Sequence, residues 1–240
     1  MGSKNKVVVV DCGANIGASI NYFKDHFKDK ECLFYGFECD PLNYKILNIV
    51  FEGDENVILS DNGVWIEDKE MDMSLERWYR FTENGEVYCG AQTASSLLDN
   101  KINTPNFTTD YINKNFKYKV QAIDLKKWLL DNLSEENYNV LKVDVEGAEY
   151  HILPKLLESD KLISMIDEWK IEITSPGRFS RNHPNYDSLL SLARYKLGNK
   201  FVDWTLDLRQ WTSIIREEIL VEKTGKNFHN FCFEDSSYKG

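Results

Sequence analysis

The sequence predicts an α/β fold in a single domain, with strands and helices alternating along the chain. Three observations carry this reading. The four consecutive valines Val7–Val10 form a β-branched run too short for a helix, and read as a strand buried on both faces. Short apolar runs at Cys32–Phe37, Asn56–Leu59, Val140–Val143 and Met165–Ile173 then alternate with helical stretches at Ala18–Phe27, Tyr44–Phe51, Leu125–Leu133 and Asp187–Leu197. A length of 240 residues suits one large core and would be a squeeze for two compact domains.

The first strand closes at Asp11, and Gly13 and Gly17 bracket a turn into the helical stretch that follows. A strand, a glycine turn and a helix N-terminus present backbone N–H groups to an anionic or electron-rich ligand group. A dinucleotide site calls for G-x-G-x-x-G, its middle glycine clearing space for pyrophosphate. Here the turn is D-x-G-x-N-x-G, with Asn15 where that clearance is needed. Asp11 at the strand end suits a ligand bearing an ammonium group, and S-adenosylmethionine carries an ammonium and a sulfonium. The turn therefore points to S-adenosylmethionine ahead of another nucleotide or a structural bend.

The second strand, Cys32–Phe37, runs into Glu38-Cys39-Asp40-Pro41. Glu38 lies 21 residues past Gly17, where a strand-end carboxylate accepts hydrogen bonds from both ribose hydroxyls. The alternative is an exposed acid ahead of a helix that starts with Pro41. The third strand ends at Ser60-Asp61-Asn62-Gly63, which makes Asp61 a candidate for the adenine amino group or part of a polar turn.

Residues 64–118 interrupt the alternation. Leu75–Phe81 and Glu86–Cys89 flank Asn84-Gly85, the dipeptide of a type I′ hairpin turn. A segment containing Ser95, Ser96 and Leu97 follows, and then an Asn/Thr-rich patch over Lys101–Asp110. Long excursions of this kind in compact domains are usually lids or substrate loops.

A short strand, Val120–Ile123, leads to Asp124 as the cap of the next helix. The strand Val140–Val143 is followed by Asp144-Val145-Glu146-Gly147-Ala148-Glu149. Asp144 stands at the carboxyl end of its strand, where ligands bind in open α/β sheets. A solvated helix N-terminus accounts for Glu146 and Glu149, but not for Asp144. Pro154 should kink or shorten the helix beyond. Glu172 lies near the end of Met165–Ile173, His183 falls in the loop after it, and Gly198 ends the helix Asp187–Leu197. Phe201–Thr205 and Phe228–Glu234 read as the last strands.

A formal net charge of −10 argues against nucleic acid and against an anionic membrane surface as partners. The sequence contains neither an eighteen-residue apolar run nor a signal-peptide core, so the expectation is a soluble, cytoplasmic protein. Its five cysteines show no metal-binding spacing and read as reduced thiols. Met1-Gly2-Ser3 reads as an expression scar or as the seam of a domain cut from a longer, multidomain polypeptide.

Taken together, VVDCGANIG and, over a hundred residues later, LKVDVEGAE resemble the FkbM family of S-adenosylmethionine-dependent methyltransferases. Ser95-Ser96-Leu97 also resembles a serine pair that the family carries before the second motif. The resemblance implies a class I, Rossmann-like, mostly parallel seven-stranded sheet and methylation of hydroxyls on polyketides and sugars. It also implies that the turn Gly13, Asn15, Gly17 carries the methionine end of S-adenosylmethionine, with Glu38 at the ribose and Asp61 at the adenine. Asp144 would face the transferred methyl, and Ser95, Ser96 and Glu146 the acceptor. Two departures stand out: the residues the family usually has before the first strand are absent, and the 64–118 region differs from a generic member.

Methyl transfer from a sulfonium is an in-line displacement, so alignment and removal of the hydroxyl proton are the protein's tasks. Asp144 is the favoured base, with Glu172 and His183 in reserve. A less favoured variant has Asp144, Glu146 or Glu172 hold Mg²⁺, which would acidify the hydroxyl. The acceptor is expected to be a small molecule or glycan, with a sugar preferred. The competing classes are a non-catalytic S-adenosylmethionine-binding module and, third, an NAD-linked enzyme.

Overall fold

A computed structural model describes Lys4 and residues 6–81, 87–89, 95–98, 111–175, 186–204 and 221–225, with the backbone alone over 75–81, 87–89 and 111–116. Strand β1 (Val7–Cys12) is buried along its whole length. Val7 and Val9 face a cluster with Ile20, Phe23, Ile46 and Leu47, while Val10 and Cys12 face Leu129, Leu141 and Val143. The period of two in a strand thus serves two cores, and each fully buried valine is worth roughly 1.5–3 kcal/mol.

Helix α1 (Ala18–His26) returns to β2 (Cys32–Phe37), and α2 (Pro41–Val50) to β3 (Val57–Ser60). Helix α2 starts as its sequence dictates: the Asp40 carboxylate caps Leu42 N at 3.0 Å and Asn43 N at 3.4 Å, and Pro41 occupies the first turn. After an insertion come α3 (Leu125–Asn132), β8 (Tyr138–Val143), α4 (Glu149–Leu157), α5 (Asp160–Met165), β9 (Glu168–Ile171), α6 (Tyr186–Leu197) and β10 (Phe201–Asp203). Asp124 caps α3 as expected, accepting from Lys127 N at 3.2 Å. Pro154 lies inside α4, which ends at Leu157 before the chain restarts as α5, so it shortens the helix. Gly198 ends α6 with φ 55°.

The central sheet is α/β and parallel at every pairing, in the order β10-β9-β8-β1-β2-β3. Six strands stand here among the described residues where seven were expected, and the expected strand Phe228–Glu234 lies outside them. The chain leaves β1 toward β2 and β3 and later returns on its other side through β8. The crevice between the carboxyl ends of β1 and β8 is therefore the topological switch point.

Among the described residues, the insertion forms a sheet larger than the expected hairpin. Strands β4 (Gly63–Trp65), β5 (Lys69–Phe81), β6 (Val87–Cys89) and β7 (Tyr111–Asp124) form a second sheet in the order β4-β7-β5-β6. The expected hairpin is present as the antiparallel β5–β6 pair, with its Asn84-Gly85 turn outside the described residues. The main partner of β5, however, is β7, paired from Lys69↔Ala122 to Arg80↔Tyr111. Only Val120–Ile123 of β7 reads as a strand, because Asn113, Lys114, Asn115, Lys117 and Lys119 break the apolar pattern. A ribbon with one polar face needs no continuous apolar run. Val64, Trp65, Met73, Val120 and Ala122 join the core on the α3–α4 side of the central sheet.

Candidate functional site

The carboxyl ends of β1, β2 and β8 open into a cavity of about 280 Å3. Its floor is the turn after β1. Gly13 (φ 81°), Asn15 (φ 52°) and Gly17 (φ 93°) all take left-handed backbone conformations. A Cβ on Gly13 would lie 1.9 Å from the Asp144 carbonyl oxygen, and one on Gly17 would lie 2.4 Å from the Phe51 ring. The glycines therefore let the two strand ends and α2 close around the turn, leaving Gly13, Ala14 and Asn15 to line the cavity. Such a cradle fits a ligand whose backbone-facing part must come close.

Glu38 lines the cavity as expected and is not the exposed acid of the alternative reading, being 8% accessible. Its Oε2 accepts from Asn15 N at 2.8 Å and its Oε1 from Asp40 N at 2.7 Å. Burial first, and then the Asp40 charge, push its carboxyl up to about 8, against the pull of the two N–H donors. Each carboxylate oxygen has a second lone pair, so the group can still accept two hydroxyls.

Asp11 does not meet the cavity. It is fully buried, accepts from Ser19 Oγ, and pairs with Lys142 Nζ at 3.0 Å. The expectation that it meets a ligand ammonium is corrected here: β1 runs on through Cys12, which places Asp11 one residue short of the strand's open end. Asp61 is exposed and outside the cavity, whereas its neighbour Asn62 lines it. Asn62 Nδ2 donates to Ser60 Oγ at 3.0 Å, which fixes the amide.

On the opposite wall stand Asp144, Val145, Glu146 and Glu172. Asp144 follows β8, its backbone N donates to Cys12 O at 3.1 Å, and its side chain is 24% exposed. Glu172 follows β9, with its backbone N on Val143 O at 2.9 Å. The structure thus brings together two of the three carboxylates and histidines proposed for proton removal, while His183 lies outside the described residues.

Glu149 is not the solvated helix-end acid its position suggests. It is fully buried and staples the preceding loop, accepting from Val145 N and Gly147 N, each at 2.8 Å. Burial, aided by the Asp144 and Glu146 charges, raises it to about 8. Glu146, with φ 54°, is held in that loop by Ser96 Oγ, which donates to its carbonyl at 2.7 Å.

Ser96 is buried and turned to that carbonyl, not to the cavity. Ser95 does line the cavity, donating to Asp40 Oδ2 at 2.8 Å. Ser96 also bridges to Ser74 of β5 through backbone bonds of 2.8 and 3.0 Å. The serine pair thus fastens the inserted sheet to the cap of α2 and to the loop before α4. Met73 and Leu97 complete the wall on this side.

Lys142 received no role from the sequence, yet it is the cation at the centre of the site, only 2% exposed. Its Nζ donates to Gly13 O at 2.7 Å, pairs with Asp11 Oδ1 at 3.0 Å, and reaches Asp144 Oδ2 at 3.4 Å. Burial opposes its charge, but the carboxylates of Asp11 and Asp144 more than offset this and hold it protonated. A lysine inside the otherwise apolar run of β8 was the available signal. Among the described residues, no group of three His, Cys, Asp or Glu side chains is gathered to hold a metal ion. No described helix is long and apolar enough to cross a membrane.

Comparison with known families gives a match to the Methyltransferase FkbM domain over residues 11–197. Among solved structures, the chain is similar to the methyltransferase FkbM from Methylobacillus flagellatus KT, determined at 2.20 Å resolution. The identity is 15% and the TM-score 0.44, over 80% of this chain and 39% of that one, so this chain spans about two fifths of that protein's length. No curated protein matches the chain.

Proposed function

The chain belongs to the FkbM methyltransferase family, and we propose that it transfers the methyl group of S-adenosylmethionine to a hydroxyl of a small molecule or glycan, a sugar being the favoured acceptor. One observation supports this most. The glycine cradle, the Glu38 carboxylate and Asp144 meet in one cavity at the switch point of the parallel sheet.

The cradle of Gly13 to Gly17 receives the methionine portion of the cofactor, and Glu38 accepts the two ribose hydroxyls on its remaining lone pairs. Asn62, which lines the cavity where Asp61 does not, would be the residue to meet the adenine amino group. Bound there, S-adenosylmethionine supplies an activated methyl group. The acceptor enters along Ser95, Met73 and Leu97, and Asp144 takes the hydroxyl proton as the oxygen attacks. Alignment provides much of the rate, and a positioned base adds about 10²–10⁴-fold.

Titration calorimetry with S-adenosylmethionine, S-adenosylhomocysteine and NAD tests the cofactor: the first two should bind and NAD should not. An acceptor screen that follows S-adenosylhomocysteine release tests the reaction. Asp144→Asn keeps the side chain's size but removes its basicity. Turnover of that variant should fall about 10²-fold or more, with S-adenosylhomocysteine still bound within a few-fold. Near-normal turnover would remove Asp144 as the base and make Glu172 the next candidate.

A further inference from the structure

We propose that Lys142 is a positioning residue that aims Asp144 by tying it to the cofactor turn. The inference rests on Asp144 being the base of the proposed reaction and goes beyond it by giving the buried lysine a task.

An ammonium has three N–H donors. That of Lys142 donates to the Gly13 carbonyl in the turn and lies in ion-pair reach of two carboxylates in other parts of the site, Asp11 inside β1 at 3.0 Å and Asp144 beyond β8 at 3.4 Å. The sheet register makes this possible, because Asp11 and Lys142 are direct partners across β1 and β8. Asp11 is in turn fixed by Ser19 at the start of α1. A turn held through Gly13 O and a carboxylate held through Oδ2 therefore share one rigid post. The post is buried, whereas Asp144 is partly exposed and has a cavity to swing into. Lys142 meets Asp144 at Oδ2, so Oδ1 is the oxygen assigned to the acceptor.

A lysine that only neutralised Asp11 would need no contact with Asp144. The charged and titratable neighbours of this group among the described residues are Asp11 and Cys12 on β1, Glu38 after β2, Lys170 on β9, and Glu146, Glu149 and Glu172 around Asp144. Among the described residues, Lys142 is the cation within 4 Å of the Asp144 carboxylate.

Removing Lys142 alone would strand Asp11 as a buried charge, so the test removes both charges together. The paired variant Asp11→Asn with Lys142→Met keeps an acceptor for Ser19 and leaves no lone buried ion. It should melt close to the wild type and still bind S-adenosylhomocysteine, weakened by the lost Gly13 contact, so turnover is compared at saturating cofactor. Its turnover should fall about 10–100-fold, the scale of a sub-ångström to ångström misplacement of a reacting group. Adding Asp144→Asn to the pair should cost little beyond Asp144→Asn alone, because both act through one carboxylate. Normal turnover in the paired variant, or losses that multiply in the triple variant, would overturn the proposal. If Asp144→Asn alone turns over normally, the base assignment itself has failed, which is a different result. One readout needs neither folding of a variant nor activity. A crystal structure of the wild-type protein with S-adenosylhomocysteine must keep the Lys142–Asp144 contact, and a carboxylate rotated away from Nζ overturns the proposal.

Discussion

If Glu38 holds the ribose of the proposed cofactor, affinity for an adenosyl ligand rises with pH. Its carboxyl is pushed up to about 8 in the free protein, so at neutral pH most molecules carry it protonated. Two ribose hydroxyls donate best to the ionised form, which couples binding to loss of that proton. Titration about 8 leaves roughly 1% ionised at pH 6 and about 75% at pH 8.5, and apparent affinity scales with the competent fraction. Affinity should therefore rise with pH below 8, by at most tenfold per unit, and level off above it. A protonated carboxyl still offers one acceptor oxygen, so a total change of about 10- to 75-fold between pH 6 and pH 8.5 is expected. Calorimetry with 5′-methylthioadenosine is the suitable assay, since that ligand keeps the ribose hydroxyls but lacks the titrating amino-acid portion. Glu38→Gln should flatten the profile and weaken binding at pH 8.5 by roughly 1.5–3 kcal/mol, the worth of hydrogen bonds to a charged group. A wild-type profile that is already flat, together with unchanged affinity in Glu38→Gln, would refute the ribose assignment.

Two further outcomes concern stability. Gly13→Ala places a Cβ 1.9 Å from the Asp144 carbonyl oxygen in a residue at φ 81°; strain and overpacking together should cost about 2–5 kcal/mol in urea unfolding, and a loss under 1 kcal/mol would contradict the geometry. Glu149 holds its proton up to about 8 in the folded protein against an ordinary 4.5, so the unfolded chain releases that proton first and its contribution to stability falls as pH rises across this window. Urea melts at pH 5 and pH 8 should show Glu149→Gln with a shallower decline than the wild type, and parallel curves would contradict the shift.

Much of the site was legible because its residues follow local rules. The valine run, the D-x-G-x-N-x-G turn and the acid 21 residues past Gly17 each belong to a strand–turn–helix unit that builds the cavity. Asp40 and Asp124 sit before helices and cap them. What could not be read depends on pairing between distant strands. The fate of Asp11 is set by Lys142, its register partner 131 residues away on β8. Without that register, a strand-end aspartate looks like a ligand contact and a lysine in an apolar strand looks like an interruption. The inserted sheet hid for a related reason. Residues of β7 alternate in polarity because β5 lies beside them, and β5 is separated from them by the whole hairpin.

The carboxylate run after β8 shows why composition alone misleads about cost. Of three acids within six residues, two read as a solvated helix end, and the structure gives each of the three a different setting. Asp144 leans on Lys142, whose charge is otherwise claimed by Asp11. Glu149 turns back under the loop and takes two of its N–H groups, a use that burial at neutral pH permits because the carboxyl can keep its proton. Glu146 adopts a left-handed conformation costly for a non-glycine residue, and Ser96 of the inserted segment fixes its carbonyl there. The loop that presents Asp144 is therefore held from below by Glu149 and from the side by Ser96. The inserted sheet reaches the loop that lines the cavity through that serine, so a change in how the insert sits on the cleft would be felt first at Glu146 and, two residues earlier, at Asp144.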